Sequence, residues 1–307
     1  MTASRGDHAL TRSLASAAGI GSDDASAIDP LGSASHIDPL DSASHIDRIF
    51  ALDPVLTEWS YNDRDDPRGA FRFGSWVTRH DGVPAVLAAL GQARCAALRA
   101  ELPLDDMEGL GLAYRPGLAP TFRWWLLAPS DGSALAQAVS RANPDRAGEL
   151  ARLAACTGGP QRCTAVGLEL LADQLVRHTT YFAVYSPQAA IAVLELIGCP
   201  PSAGANRFLK GLCGLDPRRP RTWPKVWVGR SAGGEAGWKL YYFARGDYER
   251  PSDPVLLDLI DAPPLVAEGC RTVARAAGIR DVIQLLGLTF RDGALDTPRW
   301  TTYLATR

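Results

Sequence analysis

Five basic residues each open a run of aromatic and β-branched residues: Arg72-Phe-Gly-Ser-Trp-Val-Thr, Arg123-Trp-Trp-Leu-Leu-Ala, Arg177-His-Thr-Thr-Tyr-Phe-Ala, Lys239-Leu-Tyr-Tyr-Phe-Ala and Arg299-Trp-Thr-Thr-Tyr-Leu-Ala. Runs of this composition read as strands. Taken singly, Arg or Lys at a strand end protects an edge or snorkels at a rim. Recurrence in five strands points elsewhere, because like charges gathered inside a protein repel unless a polyanion sits among them. A diphosphate meets that need. Tyr181, Tyr241 and Tyr303, with Trp124, Trp125, Trp227, Trp238 and Trp300, are interleaved with the cations. Any one of these aromatics is at home in a core. As a set they offer a wall whose π faces shelter a carbocation and exclude the water that would quench it. Together the two sets spell out departure of an anionic leaving group and capture of the cation left behind.

The elements that position these residues form a repeat. Each late strand is preceded by another that carries a glycine: Gly111-Leu-Ala-Tyr, Gly167-Leu-Glu-Leu, Gly229-Arg-Ser-Ala and Gly287-Leu-Thr-Phe. Turn-rich links such as RPGLAP, SAGGEAG and RDGALDTP join the pairs as antiparallel hairpins. Helical stretches separate the hairpins: VPAVLAALGQARCAALRAEL, GSALAQAVSRAN with AGELARLAAC, SPQAAIAVLELIG, and DPVLLDLID with LVAEGCRTVARAAG. Five such units supply about ten strands. A sheet that long curls, and closing it removes its edges. The expected fold is α+β, a closed antiparallel barrel of about ten strands with helices outside and a chamber within. Residues two apart share a strand face, which groups Lys239 with Tyr241, Phe243 and Arg245, and Arg299 with Thr301 and Tyr303.

Residues 1–47 read as a flexible tail preceding a barrel domain over 48–307. They hold a tandem repeat, SAIDPLG, SASHIDPLD and SASHIDRIF, too poor in apolar residues to fold alone. His36 and His45 recur with the unit. Across the chain, 32 Lys plus Arg balance 34 Asp plus Glu for a formal charge of -2, which argues against a nucleic-acid partner. No run approaches the roughly 18 apolar residues of a membrane span, and the first residues lack a secretory apolar core, so the expected location is cytoplasmic. The six cysteines form no CxxC, and no GxSxG or HExxH occurs.

The repeats resemble the ABBA-type (PT-barrel) aromatic prenyltransferases, in which α-β-β-α units close a ten-stranded barrel around the active site. Over residues 50 to 307 the chain is most similar to the cyanobactin-type peptide prenyltransferases, through TEWSYNDRDDPRGAFRF, GLGLAYRPGLAPTFRWW and KVWVGRSAGGEAGWKLYYFARGD. The resemblance implies that Glu58, on the first barrel strand, orients the acceptor and takes up the proton it loses. It implies that Arg72, Arg123, Arg177, Lys239 and Arg299 hold the prenyl diphosphate, and that Tyr181, Tyr241 and Tyr303 shield the allylic cation. Trp227 matches the position whose bulk limits the prenyl pocket, which implies dimethylallyl diphosphate as donor. The implied acceptor is a nucleophilic side chain of a peptide, a modified or cyclic ribosomal one. The alternatives are a small aromatic metabolite as acceptor, or a non-catalytic barrel that binds a peptide or isoprenoid. The aspartate pairs lack DDxxD spacing, so no metal ligands are expected from the chain, and any Mg²⁺ arrives on the diphosphate.

Overall fold

Side chains alternate between the two faces of a strand, so Arg123 and Trp125 point one way and Trp124 the other. This alternation sorts the aromatic residues into two layers. The computed structural model describes residues 5–17, 39–62, 71–78, 82–92, 99, 102, 105–115, 118–142, 144–171, 174–198, 226–233, 237–244, 252–259, 261–292 and 294–306. Ten strands are formed: β1 (Leu56–Asn62), β2 (Phe71–Thr78), β3 (Met107–Arg115), β4 (Leu118–Leu127), β5 (Cys163–Leu171), β6 (Gln174–Val184), β7 (Val226–Ala232), β8 (Gly237–Phe243), β9 (Ile283–Arg291) and β10 (Ala294–Leu304). Each pairs antiparallel with its sequence neighbour, and β1 meets β10 to close the barrel, Trp59 opposite Leu304 and Asn62 opposite Thr301. The expected closed antiparallel barrel of ten strands is therefore the fold.

The outer layer is the main core. Trp59, Phe73, Phe122, Trp124, Phe182, Tyr242 and Phe290 are fully buried there. Helices α3 (Gly82–Ala89), α4 (Ser133–Ala142), α5 (Ala147–Thr157), α6 (Pro187–Leu196), α7 (Asp253–Leu259) and α8 (Pro264–Ala277) supply its cover. In α8, Val266, Gly269, Cys270 and Val273 are buried, the spacing that puts four residues on one helical face. Trp124, Trp238 and Trp300 belong to this outer layer, which corrects their inclusion among lumen aromatics. Their neighbours in sequence carry the inward positions instead.

Polar ties fix the helices to the strands. Arg230 on β7 reaches Glu149 of α5 at 2.9 Å and both oxygens of Asp292 at 2.8 and 2.9 Å, and its guanidinium lies 4.9 Å from the Trp238 ring centroid. Asp253 at the start of α7 accepts from the backbone N–H groups of Val282 and Ile283 at 2.7 and 3.2 Å. Cys163 and Cys270 are buried free thiols whose pKa values burial pushes up to about 12. Cys95, Cys199 and Cys213 lie outside the described residues.

Residues 1–47, expected to be a flexible tail, are described in part. Helices α1 (Arg5–Ala17) and α2 (Pro39–Phe50) form there, and Leu14, Ala15, His45, Ile46 and Ile49 are buried. The third repeat copy ends in Ile-Asp-Arg-Ile-Phe where the second has Ile-Asp-Pro-Leu, so no proline interrupts it and Ile46 and Ile49 share one helical face. The barrel supplies the apolar partner that the tail lacks by itself. Asp47 binds His8 at 2.8 Å, Trp59 donates to Thr11 at 3.2 Å, and Thr306 donates to Asp7 at 2.6 Å. Helix α1 thus clasps the first strand and the chain's last residues. His36 and the first repeat copy lie outside the described residues.

The α8 contact with β1 leaves no room for a methyl group. A Cβ on Gly269 would stand 2.6 Å from Cγ of Tyr61, an aromatic atom that cannot swing aside. Gly269→Ala is expected to cost about 1–3 kcal/mol of stability, measured by denaturant unfolding at unchanged m-value. A change within experimental error contradicts this packing.

Candidate active site

The inward positions of the strands line a cavity of about 280 Å³. All five basic residues reach it: Arg72 from β2, Arg123 from β4, Arg177 from β6, Lys239 from β8 and Arg299 from β10. They come from alternate strands because each hairpin contributes its second strand's cation. Strand tilt in a closed barrel staggers the ladder rows, so four of the cations lie in two lateral rows and Arg72, opposite Ala113, lies in a third. Arg123 pairs with Glu169, which pairs with Arg177. Lys239 pairs with Thr289, which pairs with Arg299.

Glu169, absent from the expected site, sits among the cations. Its carboxylate accepts from Arg177 and lies 3.4 Å from Nη2 of Arg123. Burial alone would push its pKa up, but the charges of Arg123, Arg177 and Lys239 hold it well below the usual carboxylate range. Burial would depress the Arg123 guanidinium, but the charge of Glu169, its hydrogen bond and the nearby Tyr303 and Tyr241 together raise the pKa. Lys239 goes the other way. Burial lowers its pKa well below the ordinary value, and the charges of Arg177, Arg123 and Arg72 add to the effect against the pull of Glu169. One carboxylate offsets part of the positive charge gathered there. Nε of Arg123 is buried without a hydrogen-bond partner among the described residues, and such donors ordinarily have one. A bound polyanion supplies acceptors and charge together.

Beneath the cations lies a chain of tyrosines. Tyr181 donates to Tyr241 at 3.5 Å, and the Tyr241 and Tyr303 hydroxyls lie 2.9 Å apart. Their ring centroids are 5.4 and 5.5 Å apart. Burial pushes the Tyr181 phenol up to about 12 and those of Tyr241 and Tyr303 well above their ordinary value; all three stay neutral, with π faces intact. A glycine on the next strand makes room for each large ring. Trp125 is opposite Gly167, Tyr181 opposite Gly229, and Tyr241 opposite Gly287. A Cβ on Gly229 or Gly287 would come within 2.7 or 2.6 Å of the facing tyrosine. Trp76 opposite Gly109 continues the series on β2 and β3.

Two expected residues stand apart from the cavity lining. Trp227 packs below it, 6.1 Å from the Tyr181 ring centroid and 4.7 Å from that of Phe243, in a cluster with Ala165, Leu285 and Leu127. Glu58 lies on β1 as expected, where Oε2 accepts from Nε1 of Trp76 at 2.9 Å. The ladder row that carries Arg123 runs on through Gly111 and Gly74 to Glu58. Three strand spacings, roughly 14 Å of wall, separate Arg123 from Glu58. The Trp125 ring covers that gap, since a Cβ on Gly74 or Gly111 would lie 3.0 Å from its Cζ3. Among the described residues no cluster of three His, Cys, Asp or Glu could hold a metal. Glu169, the one carboxylate among the described lining residues, is committed to two arginines.

Alternation is the signal that finds Glu169. It lies two residues beyond Gly167, on the face that glycine shares with the facing aromatic. Trp76 follows from the same rule, four residues after Arg72 as Tyr181 and Tyr303 follow Arg177 and Arg299.

No family model matches the chain, and no curated protein is similar to it in sequence. Solved structures are. The 5-dimethylallyltryptophan synthase from Streptomyces coelicolor superposes with a TM-score of 0.56 at 15% identity, over 98% of this chain and 97% of that one. The prenyltransferase PriB in its apo form gives 0.60 at 16%, over 98% and 96%. The 6-dimethylallyltryptophan synthase from Micromonospora olivasterospora, in complex with DMASPP and Trp, gives 0.58 at 14%, over 100% and 98%. These likenesses establish the ABBA (PT-barrel) fold across the chain. No helix among the described residues is long and apolar enough to cross a membrane.

The depressed Lys239 titrates on ligation. Between its lowered pKa and its ordinary value near 10.5, the amine is neutral in the empty cavity, and a polyanion placed beside it favours the ammonium. Pyrophosphate binding in that pH range therefore takes up a proton. Calorimetry in buffers of different ionisation enthalpy reads the uptake, which Lys239→Met should reduce by up to one proton. Equal proton counts in both proteins contradict the assignment.

Proposed function

We propose that this chain is a prenyltransferase that moves a dimethylallyl group from dimethylallyl diphosphate to a small indole such as tryptophan. The observation that carries the reading is the convergence of Arg72, Arg123, Arg177, Lys239 and Arg299 on one cavity floored by Tyr181, Tyr241 and Tyr303. The fold supports it, as do the dimethylallyltryptophan synthases that share that fold. Arg72, Arg123, Lys239 and Arg299 grip the diphosphate, with Arg177 held partly by Glu169. The C1–O bond breaks, and its electron pair leaves with the diphosphate oxygen. Each well-placed donor in such a site lowers the barrier by about 3 kcal/mol. The tyrosine rings face the allyl cation until a π pair of the acceptor ring closes the new C–C bond. The ring proton then passes to the Glu58 carboxylate. The peptide acceptor implied by the sequence is the narrower alternative; the tryptophan bound in the complexed neighbour favours the small indole.

Mass spectrometry after incubation with dimethylallyl diphosphate and either tryptophan or a tryptophan-containing cyclic peptide tests this reading. One five-carbon unit added to tryptophan is the expected product. Addition to the peptide alone restores the peptide alternative, and addition to neither removes the enzyme reading in favour of a binding barrel. Glu58→Gln is expected to lower kcat by about 10²–10⁴-fold with pyrophosphate affinity retained. Unchanged turnover takes Glu58 out of the reaction. Trp227→Gly, by clearing the space below Tyr181, is expected to admit geranyl diphosphate. Donor choice identical to that of the parent protein contradicts the pocket assignment.

A further inference from the structure

Glu169 lines the same cavity as the basic side chains; if that cavity holds a diphosphate, as proposed above, the carboxylate competes with the ligand. Register places it directly between two of the cations, opposite Arg123 on β4 and Arg177 on β6. Its oxygens are divided between them. Oε2 accepts from Nη2 of Arg177, and Oε1 lies 3.4 Å from Nη2 of Arg123 and 3.4 Å from the Thr121 hydroxyl. Ion pairs in the outer layer tie elements together: Arg99 reaches Glu108 at 2.9 Å, where Trp124 also donates, and Arg230 bridges Glu149 and Asp292. A buried ion pair adds little net stability, since desolvation offsets the attraction. A carboxylate turned into the cavity therefore calls for a role in ligand binding. The leaving group supplies one. When the C1–O bond breaks, its electron pair stays on the diphosphate oxygen, so the released pyrophosphate carries one unit of negative charge more than it did as the ester. Cations that suit the donor then hold the product more tightly than the donor.

We propose that Glu169 is a resident counter-anion that competes with pyrophosphate for Arg123 and Arg177 and so lets the product leave. In the empty cavity it keeps the two arginines paired. When the ligand enters, they divide their N–H donors between the carboxylate and the diphosphate oxygens, and Nε of Arg123, buried without a hydrogen-bond partner among the described residues, turns to the ligand alone. A fixed negative charge repels an anion in proportion to the anion's own charge. Glu169 therefore weakens pyrophosphate more than its ester, and determines specificity for donor over product.

Glu169→Gln keeps the shape of the side chain and removes its charge. By calorimetry at one pH it is expected to tighten pyrophosphate binding by about 10–100-fold, and to tighten binding of dimethylallyl thiolodiphosphate by less. If Glu169 only held Arg123 and Arg177 in place for the ligand, the same variant would bind pyrophosphate equally or more weakly, and either outcome overturns the proposal. An equal gain for both ligands also overturns it, since the discrimination is then absent. Thermal unfolding keeps the test in force where the variant folds poorly. Saturating pyrophosphate should raise its midpoint by more than it raises that of the parent protein, and a variant that pyrophosphate fails to fold, or stabilises no more than the parent, contradicts the role. The parent protein separates the two readings: no affinity for pyrophosphate removes the proposed function and this role with it, whereas binding by the parent without a gain in Glu169→Gln removes the role of Glu169 alone.

Discussion

Five basic side chains share one buried cavity, and the rest of the structure answers to that constraint. At an effective dielectric near 20, two like charges 5–6 Å apart repel by about 3 kcal/mol, so such a set does not assemble by itself. Three features hold it. The barrel is closed, so each cation is carried by a strand fixed on both sides. Glu169 neutralises part of the Arg123–Arg177 pair. Lys239 yields, its pKa depressed by burial and by its arginine neighbours. What remains is an unmet demand for negative charge at the centre of the molecule.

The same alternation that points the cations inward builds the wall beneath them. Each inward aromatic needs space that an ordinary side chain on the facing strand would fill, and Gly109, Gly167, Gly229 and Gly287 provide it. The glycines and aromatics are therefore one device repeated around the barrel. On β1 the device changes. Ser60 faces Tyr303, and two residues away Glu58 takes the place of an apolar group. The seam of the barrel is thus where its repeat breaks and where Glu58 accepts from Trp76.

The repeat was legible in the sequence because the strands keep the same order of cation, aromatic residue and glycine. Counting five hairpins was enough to close the barrel. The gathering of Arg72, Arg123, Arg177, Lys239 and Arg299 with three tyrosines followed from the period of two. The ion pairs of Glu169 with Arg123 and Arg177 and the Trp76–Glu58 bond did not, since they depend on register across strands, which a single sequence does not print. The outward Trp124, Trp238 and Trp300 were indistinguishable by type from the inward Trp125 and Trp76. Only the parity of their positions separates them. Helices α1 and α2 are not legible in the sequence for another reason: their apolar faces are too small to fold alone, and their partner is the barrel surface.

The central claim is that the converging cations hold a diphosphate with its prenyl tail against the tyrosines. A crystal structure with dimethylallyl thiolodiphosphate tests it most directly. The account predicts diphosphate oxygens within hydrogen-bond distance of Arg72, Arg123, Lys239 and Arg299, and the five-carbon tail on the rings of Tyr181, Tyr241 and Tyr303. A lumen that stays empty at saturating ligand, or a diphosphate bound on the outer surface, would contradict it.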